Sequence, residues 1–160
     1  MELERILSGG QTGADRAALD WAIANNVPHG GWCPLGRLAE DGRIDDRYSL
    51  RETPSPEYIQ RTEWNVRDAD ATVIFSSASV LTGGSLATAE LATIQGKPFL
   101  HLHNDRPATE NADILEEFLL VKNVRALNVA GPRASGDTKA YRLVHTVLDA
   151  LVDKDRKTCE

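Results

Sequence analysis

Apolar positions recur along the chain in two alternating rhythms: short unbroken runs, and longer stretches carrying a single apolar stripe. Arg5-Ile6-Leu7-Ser8 is the first run and predicts a short strand. From about Ala14, the residues Ala14, Ala17, Ala18, Trp21 and Ala22 fall at i, i+3, i+4, i+7 and i+8, which is one face of a helix, and Asn25-Asn26 ahead of Pro28 ends it. His29-Gly30-Gly31-Trp32 offers a second strand, weakened by its two glycines. A helix is predicted from Glu57 to Ala69, with Pro56 near its first turn and Ile59, Thr62, Val66 and Ala69 in line. Thr72-Val73-Ile74-Phe75 is β-branched and unbroken, as in a strand covered on both faces, and is placed at the sheet centre. A helix over Thr82 to Gln95 is closed by Gly96-Lys97-Pro98. Then come a strand at Phe99-Leu102, a helix carrying Ile114, Leu115, Phe118 and Leu119, a fifth strand at Val124–Val129, and a last helix with Ala140, Val144, Val147, Leu148 and Leu151.

Strands alternating with long helices imply βαβ units. The fold class is therefore α/β, a Rossmann-like three-layer α/β/α sandwich with a mainly parallel sheet of about five strands. With 160 residues, 41% of them apolar and 26% charged, a single domain over 1–160 is expected.

Two glycine-rich turns stand out within that pattern. Ser8-Gly9-Gly10-Gln11-Thr12-Gly13 follows the first strand, and Leu81-Thr82-Gly83-Gly84-Ser85 follows the Thr72–Phe75 strand. Neither has the Walker spacing or a clean G-x-G-x-x-G. Each nevertheless offers backbone N–H groups and a helix N-terminus to an anion. Gly9, Gly10, Gln11, Thr12, Gly13, Thr82, Gly83, Gly84, Ser85 and Thr88 are thus candidate ligand-binding residues, the hydroxyls of Thr12, Thr82 and Ser85 serving as phosphate donors. If the first and third strands are neighbours, the two turns share one crevice. Asp15 either complements the dipole of the first helix or accepts a hydrogen bond from a ribose or a pterin amine, and Arg16 beside it faces solvent or ligand.

The stretch from Cys33 to Pro56 is too long for an ordinary connection and suggests a functional loop, pinned by Leu38, Ile44, Tyr48 and Leu50. It carries Arg37, Arg43, Arg47 and Arg51 among acidic neighbours, and Arg51 is the one expected to close on an anionic ligand. Trp32 and Trp64 read first as core aromatics, with stacking on a flat heterocycle as the alternative. His101 and His103 share a strand face but lack companions, so no protein-ligated metal is expected. Cys33 and Cys159 read as free thiols. The net charge of −6 argues against nucleic acid as the main partner. No run spans a bilayer and Met1-Glu2-Leu3-Glu4-Arg5 has no signal-peptide architecture, so a soluble, cytoplasmic protein is expected.

Several motifs together are specific. Ile6 to Asp20, His29-Gly30-Gly31-Trp32-Cys33-Pro34, Ala39-Glu40-Asp41-Gly42, Leu50-Arg51-Glu52-Thr53 and Arg61-Thr62-Glu63-Trp64-Asn65-Val66-Arg67-Asp68 resemble the molybdenum (molybdenum-cofactor) carrier family. That family is grouped with the Lonely Guy type phosphoribohydrolases and with DNA-processing proteins. The resemblance implies a carrier that holds the molybdenum cofactor (molybdopterin) or a nucleotide by its phosphate, assembled as a homodimer or homotetramer. Two alternatives come with it. One is a nucleotide N-glycosidase, with Arg61 fixing phosphate and Glu90 stabilising an oxocarbenium charge. Its Gly-Gly-x-Gly-Thr motif is broken here at Gly83-Gly84-Ser85-Leu86-Ala87-Thr88. The other is a nucleotide-sensing or nucleic-acid-linked module.

Overall fold

The computed structural model describes residues 3–158; Met1, Glu2 and Cys159, used in the reading above, lie outside them. The chain runs through β1 (Arg5–Leu7), α1 (Ala14–Ala24), β2 (His29–Gly30) and β3 (Trp32–Cys33). The long connection then holds β4 (Leu38–Ala39), β5 (Gly42–Arg43) and β6 (Arg51–Glu52). Next come α2 (Tyr58–Asp68), β7 (Ala71–Ser76), α3 (Gly83–Ile94), β8 (Phe99–His103), α4 (Ala108–Val121), β9 (Ala126–Ala130) and α5 (Ala140–Thr158). Among the described residues no helix is long and apolar enough to cross a membrane.

Five strands make one parallel sheet in the order β2-β1-β9-β7-β8. This corrects two expectations. The centre belongs to β9, and β7 is the fourth strand of the five. All six residues of β7 are nonetheless buried, because an unbroken apolar run reports cover on both faces and not rank within the sheet. Nor are β1 and β7 neighbours, since β9 lies between them, Ile6 facing Leu127 on one side and Val73 facing Val129 on the other. The weak second strand divides at Gly31, whose φ of +125° and 2.3 Å clearance from the Ser8 carbonyl exclude a side chain. Before it, β2 pairs with β1; after it, β3 leaves the sheet to pair with β6.

Strand alternation divides the packing. Ala71, Val73 and Phe75 of β7 join a core built with Trp21 of α1, Leu115 and Leu119 of α4, and Val144 and Leu148 of α5. On the other face α2 and α3 lie against each other, which completes three layers. Each fully buried Leu, Val or Phe side chain contributes about 1.5–3 kcal/mol. Trp21 adds a hydrogen bond from Nε1 to Asp149 Oδ1 at 2.9 Å, tying α1 to α5.

A smaller cluster of Leu19, Cys33, Ile44 and Tyr48 orders the 33–56 segment. Its organising residue is Arg37, one of the four loop arginines but not Arg51, the one expected to close on a ligand. The Arg37 guanidinium is buried and donates to the carbonyls of Ile44 (3.0 Å), Leu50 (3.2 Å), Asp45 (2.8 Å) and Tyr48 (2.9 Å). Five fixed donors in one plane satisfy the carbonyls of the 44–50 stretch, which lies between the short strands β5 and β6 and belongs to no ladder. Leu38, expected to pin the loop, is exposed.

Candidate functional site

The carboxyl ends of β1, β9 and β7 deliver three turns side by side, at 8–13, 131–136 and 77–85. The middle one, Gly131-Pro132-Arg133, was not singled out by sequence reasoning. Gly131 sits so close to both neighbours that a Cβ would lie 2.3 Å from the Phe75 carbonyl and 2.5 Å from Ala14 Cβ. The middle and first turns are also docked together. The Ala14 amide donates to the Pro132 carbonyl at 3.4 Å, and the Ala134 amide donates to Thr12 Oγ1 at 3.0 Å.

The first turn spends three of its amides on its own side chains. The Gly10 amide donates to Ser8 Oγ (3.3 Å), the Gln11 amide to Asp15 Oδ2 (3.3 Å) and the Thr12 amide to Gln11 Oε1 (3.0 Å). One of the three acceptors is the carboxylate of Asp15. Gly10, at φ +77°, turns its Cα toward Leu50 and Ile44 of the long loop, and Arg61 lies across Gly9, donating from Nη1 to its carbonyl at 2.9 Å. Thr12 Oγ1 bonds Glu40, which also accepts from the Ser135 amide (3.1 Å) and hydroxyl. Those hydroxyls, Ser135 first and then Thr12, hold the Glu40 carboxyl below its usual range. Arg16 donates to the Gly10 carbonyl and pairs with Asp41 at 3.0 Å, so it binds the β4–β5 hairpin to the first turn.

The turn before α3 is different. Thr82 gives no side-chain cap, and the amides of Gly83, Gly84 and Ser85 have no acceptor among the described residues. A Cβ at Gly83 or Gly84 would meet nothing within 4 Å. These open amides edge a crevice of about 410 Å³ whose other walls include Gln11, Asp15, Tyr58, Arg61 and Arg133. Thr88 lines it too, its hydroxyl donating back to the Gly84 carbonyl at 2.9 Å. Thr82, Ser85, Pro132 and Gly136 are shared with a second hollow of about 430 Å³ that runs past Ser77, Asp137 and Lys139. Tyr58 is flanked by two guanidinium groups, Arg61 at 5.1 Å and Arg133 at 5.4 Å from its ring centre. Arg133 is exposed and has no carboxylate within ion-pair distance among the described residues.

Asp15 is the carboxylate of this crevice. Burial pushes its pKa up to about 6, against the pull of Arg61, whose Nη1 is 4.0 Å from Oδ2, and of the Gln11 amide. The folded state thus holds this proton more tightly than the unfolded chain does. The resulting stability is fully present below about pH 4 and is lost as pH rises to about 6. Asp15→Asn is therefore expected to stabilise the fold by up to about 3 kcal/mol above pH 6 and by little below pH 4. Urea denaturation across that range checks this; a variant whose stability follows the wild-type pH profile would contradict it.

Two candidates are not brought to the crevice. Arg51 is exposed and stacks over Trp32 at 4.7 Å, in a separate hollow with Arg5, His29 and Asp68. Glu90 is exposed on the far side of α3 from Ser85 and Thr88, beside Leu86, Ile94 and Phe99. Trp32 and Trp64 pack edge to face at 4.8 Å, with Trp32 Nε1 donating to Asp68 at 2.7 Å, and line no part of the crevice. His101 Nε2 bonds Ser76 Oγ at 2.6 Å. Cys33 is fully buried in the smaller cluster, and burial raises its thiol pKa.

A parallel sheet with helices on both faces and a crevice at the carboxyl ends of its strands defines a Rossmann-like α/β domain. The chain belongs to the circularly permutated YpsA SLOG family, whose model matches residues 6–152. It is similar over 93% of its length to 94% of a solved chain from Syntrophus aciditrophicus SB, titled "Putative molybdenum carrier protein", at 44% identity and a TM-score of 0.91. No curated protein matches. The final strand β9 sitting at the middle of the sheet agrees with a permuted order of elements.

Proposed function

We propose that this protein is a binding or carrier protein for a ligand bearing a phosphate and a flat heterocycle, of the molybdenum-cofactor or nucleotide class. The observation that carries the reading is the set of unpartnered amides at Gly83–Ser85, opening on a crevice that also holds the unpaired Arg133. Amide N–H groups at a helix start, short hydroxyls and guanidinium groups are a donor set for phosphate oxygens. They do not suit a bare metal, and among the described residues no three His, Cys, Asp or Glu side chains are grouped to hold one. A molybdenum-bearing cargo would then be gripped by its phosphate and ring. The titled relative supports that class of cargo. A glycosidase reading that uses Glu90 gains nothing from that residue's place outside the crevice; Asp15 is the carboxylate available there.

Calorimetric titration with GMP, used as a stable phosphate-and-heterocycle probe, is expected to show one site per chain, displaced by excess inorganic phosphate. Chromatography of the same mixture should recover GMP intact. Absence of binding refutes the reading, and release of free guanine turns it into a hydrolase.

A further inference from the structure

Two neighbouring side chains on the crevice wall keep unused hydrogen-bonding capacity, although both are more than nine-tenths buried. Gln11 is 4% exposed. Its Oε1 accepts from the amides of Thr12 (3.0 Å) and Glu40 (2.9 Å), which fixes the orientation of the side-chain amide and leaves Nε2 without a partner. Asp15 is 6% exposed; Oδ2 takes the Gln11 amide at 3.3 Å, while Oδ1 has no hydrogen-bond partner among the described residues and, unlike Gln11 Nε2, is not closed off from the crevice. An orphaned buried donor costs on the order of 1–3 kcal/mol. Gln11 Nε2 is one of three buried side-chain polar atoms without a partner among the described residues, with His103 Nδ1 and His145 Nε2, and the one of the three that belongs to the crevice wall, where Asp15 keeps an open oxygen. Arg61, 4.0 Å from Oδ2, favours the ionised form of this carboxylate.

Resting on the phosphate-ligand reading above, we propose that Asp15 and Gln11 read the edge of the ligand's heterocycle and select the 2-amino-4-oxo ring shared by guanine and the pterins. A carboxylate oxygen beside an amide N–H is met by a ligand edge that places N–H donors next to a carbonyl oxygen. Guanine presents N1–H and its 2-amino group to Asp15 and O6 to Gln11 Nε2, and the corresponding pterin edge carries the same order of groups. Hypoxanthine keeps N1–H and O6 but lacks the 2-amino group. Xanthine sets a carbonyl oxygen where that amino group stood, against the carboxylate. Adenine has no carbonyl and a single donor group. The phosphate held at Gly83–Ser85 anchors all of these alike, so discrimination among them belongs to the two side chains.

Titration calorimetry of the wild-type chain at neutral pH with GMP, IMP, XMP and AMP tests this. GMP is expected to bind tightest, with IMP about tenfold weaker for one lost charge-assisted hydrogen bond and XMP about a hundredfold weaker because oxygen faces carboxylate. Asp15→Asn, which keeps an acceptor and gains a donor, is expected to weaken GMP while improving XMP, cutting the preference between them at least about tenfold. A purely structural role for Asp15 would move all four affinities together. Equal wild-type affinities, a preference for AMP, or a uniform shift in the variant would overturn the assignment of the ring edge and leave the phosphate site standing. Failure of all four to bind would overturn both.

Discussion

Gly131→Ala is expected to destabilise the fold on the order of 3 kcal/mol or more, enough to leave much of the protein unfolded under mild conditions. The added methyl would have to occupy space 2.3 Å from a β7 carbonyl oxygen and 2.5 Å from the Cβ of the first α1 residue. Neither is the free end of a flexible side chain. Relief would require β7 or α1 to slide relative to β9, and each is held by ladder hydrogen bonds or by the main core. Gly84→Ala is the matched control, since nothing lies within 4 Å of its added methyl. Thermal melts of the two variants side by side give the answer; equal midpoints would show that the three turns are not packed as described.

Gly84→Asp should separate binding from folding. The position lies in the first turn of α3 with open space around it, and a carboxylate there complements the helix dipole by about 0.3–1 kcal/mol. Thermal stability should therefore hold or rise slightly. Phosphate binding should fall by about a hundredfold or more if the proposed site is right, because a fixed negative charge would stand at the amides proposed to hold the ligand's anion. The same substitution at Gly10 could not be interpreted, as φ +77° and a 2.6 Å approach to Leu50 would disrupt the turn itself. Calorimetry with GMP on a Gly84→Asp sample of intact stability is decisive: wild-type affinity would remove the phosphate from this turn.

Much of the architecture was legible in the sequence, because local periodicity reports local structure. The stripe from Ala14 to Ala22 and the unbroken Thr72–Phe75 run name their elements directly. Strand order is another matter, for nothing in the composition of Val124–Val129 says that it threads between β1 and β7. The two glycine turns look equivalent in the sequence but differ in the fold, because glycine spacing does not reveal which side chains consume the N–H groups. Ser8, Gln11 and Asp15 do so in the first. Arg37 could not be told from Arg43, Arg47 and Arg51 by residue type; what distinguishes it is a surrounding ring of carbonyls that exists only once the loop has folded. Glu90 is a different case. Thr88 and Glu90 are two residues apart, about 200° around a helix, and here the hydroxyl faces the crevice and the carboxylate a separate hollow. Gly131-Pro132 directly after an apolar run was the remaining signal, a third strand-to-turn junction of the kind already recognised twice.

The seat of β9 also sets the order in which the molecule can come into being. Until Ala126–Ala130 has been made, the only sheet neighbour available to β1 is β2 and the only one available to β7 is β8, so neither pair has its inner edge covered. Joining β1 to β9 closes a loop of about three-quarters of the chain, an entropic demand that favours one late, concerted step over gradual accretion from the amino end. Because the middle turn comes with that strand, the crevice has no existence in any partly made chain.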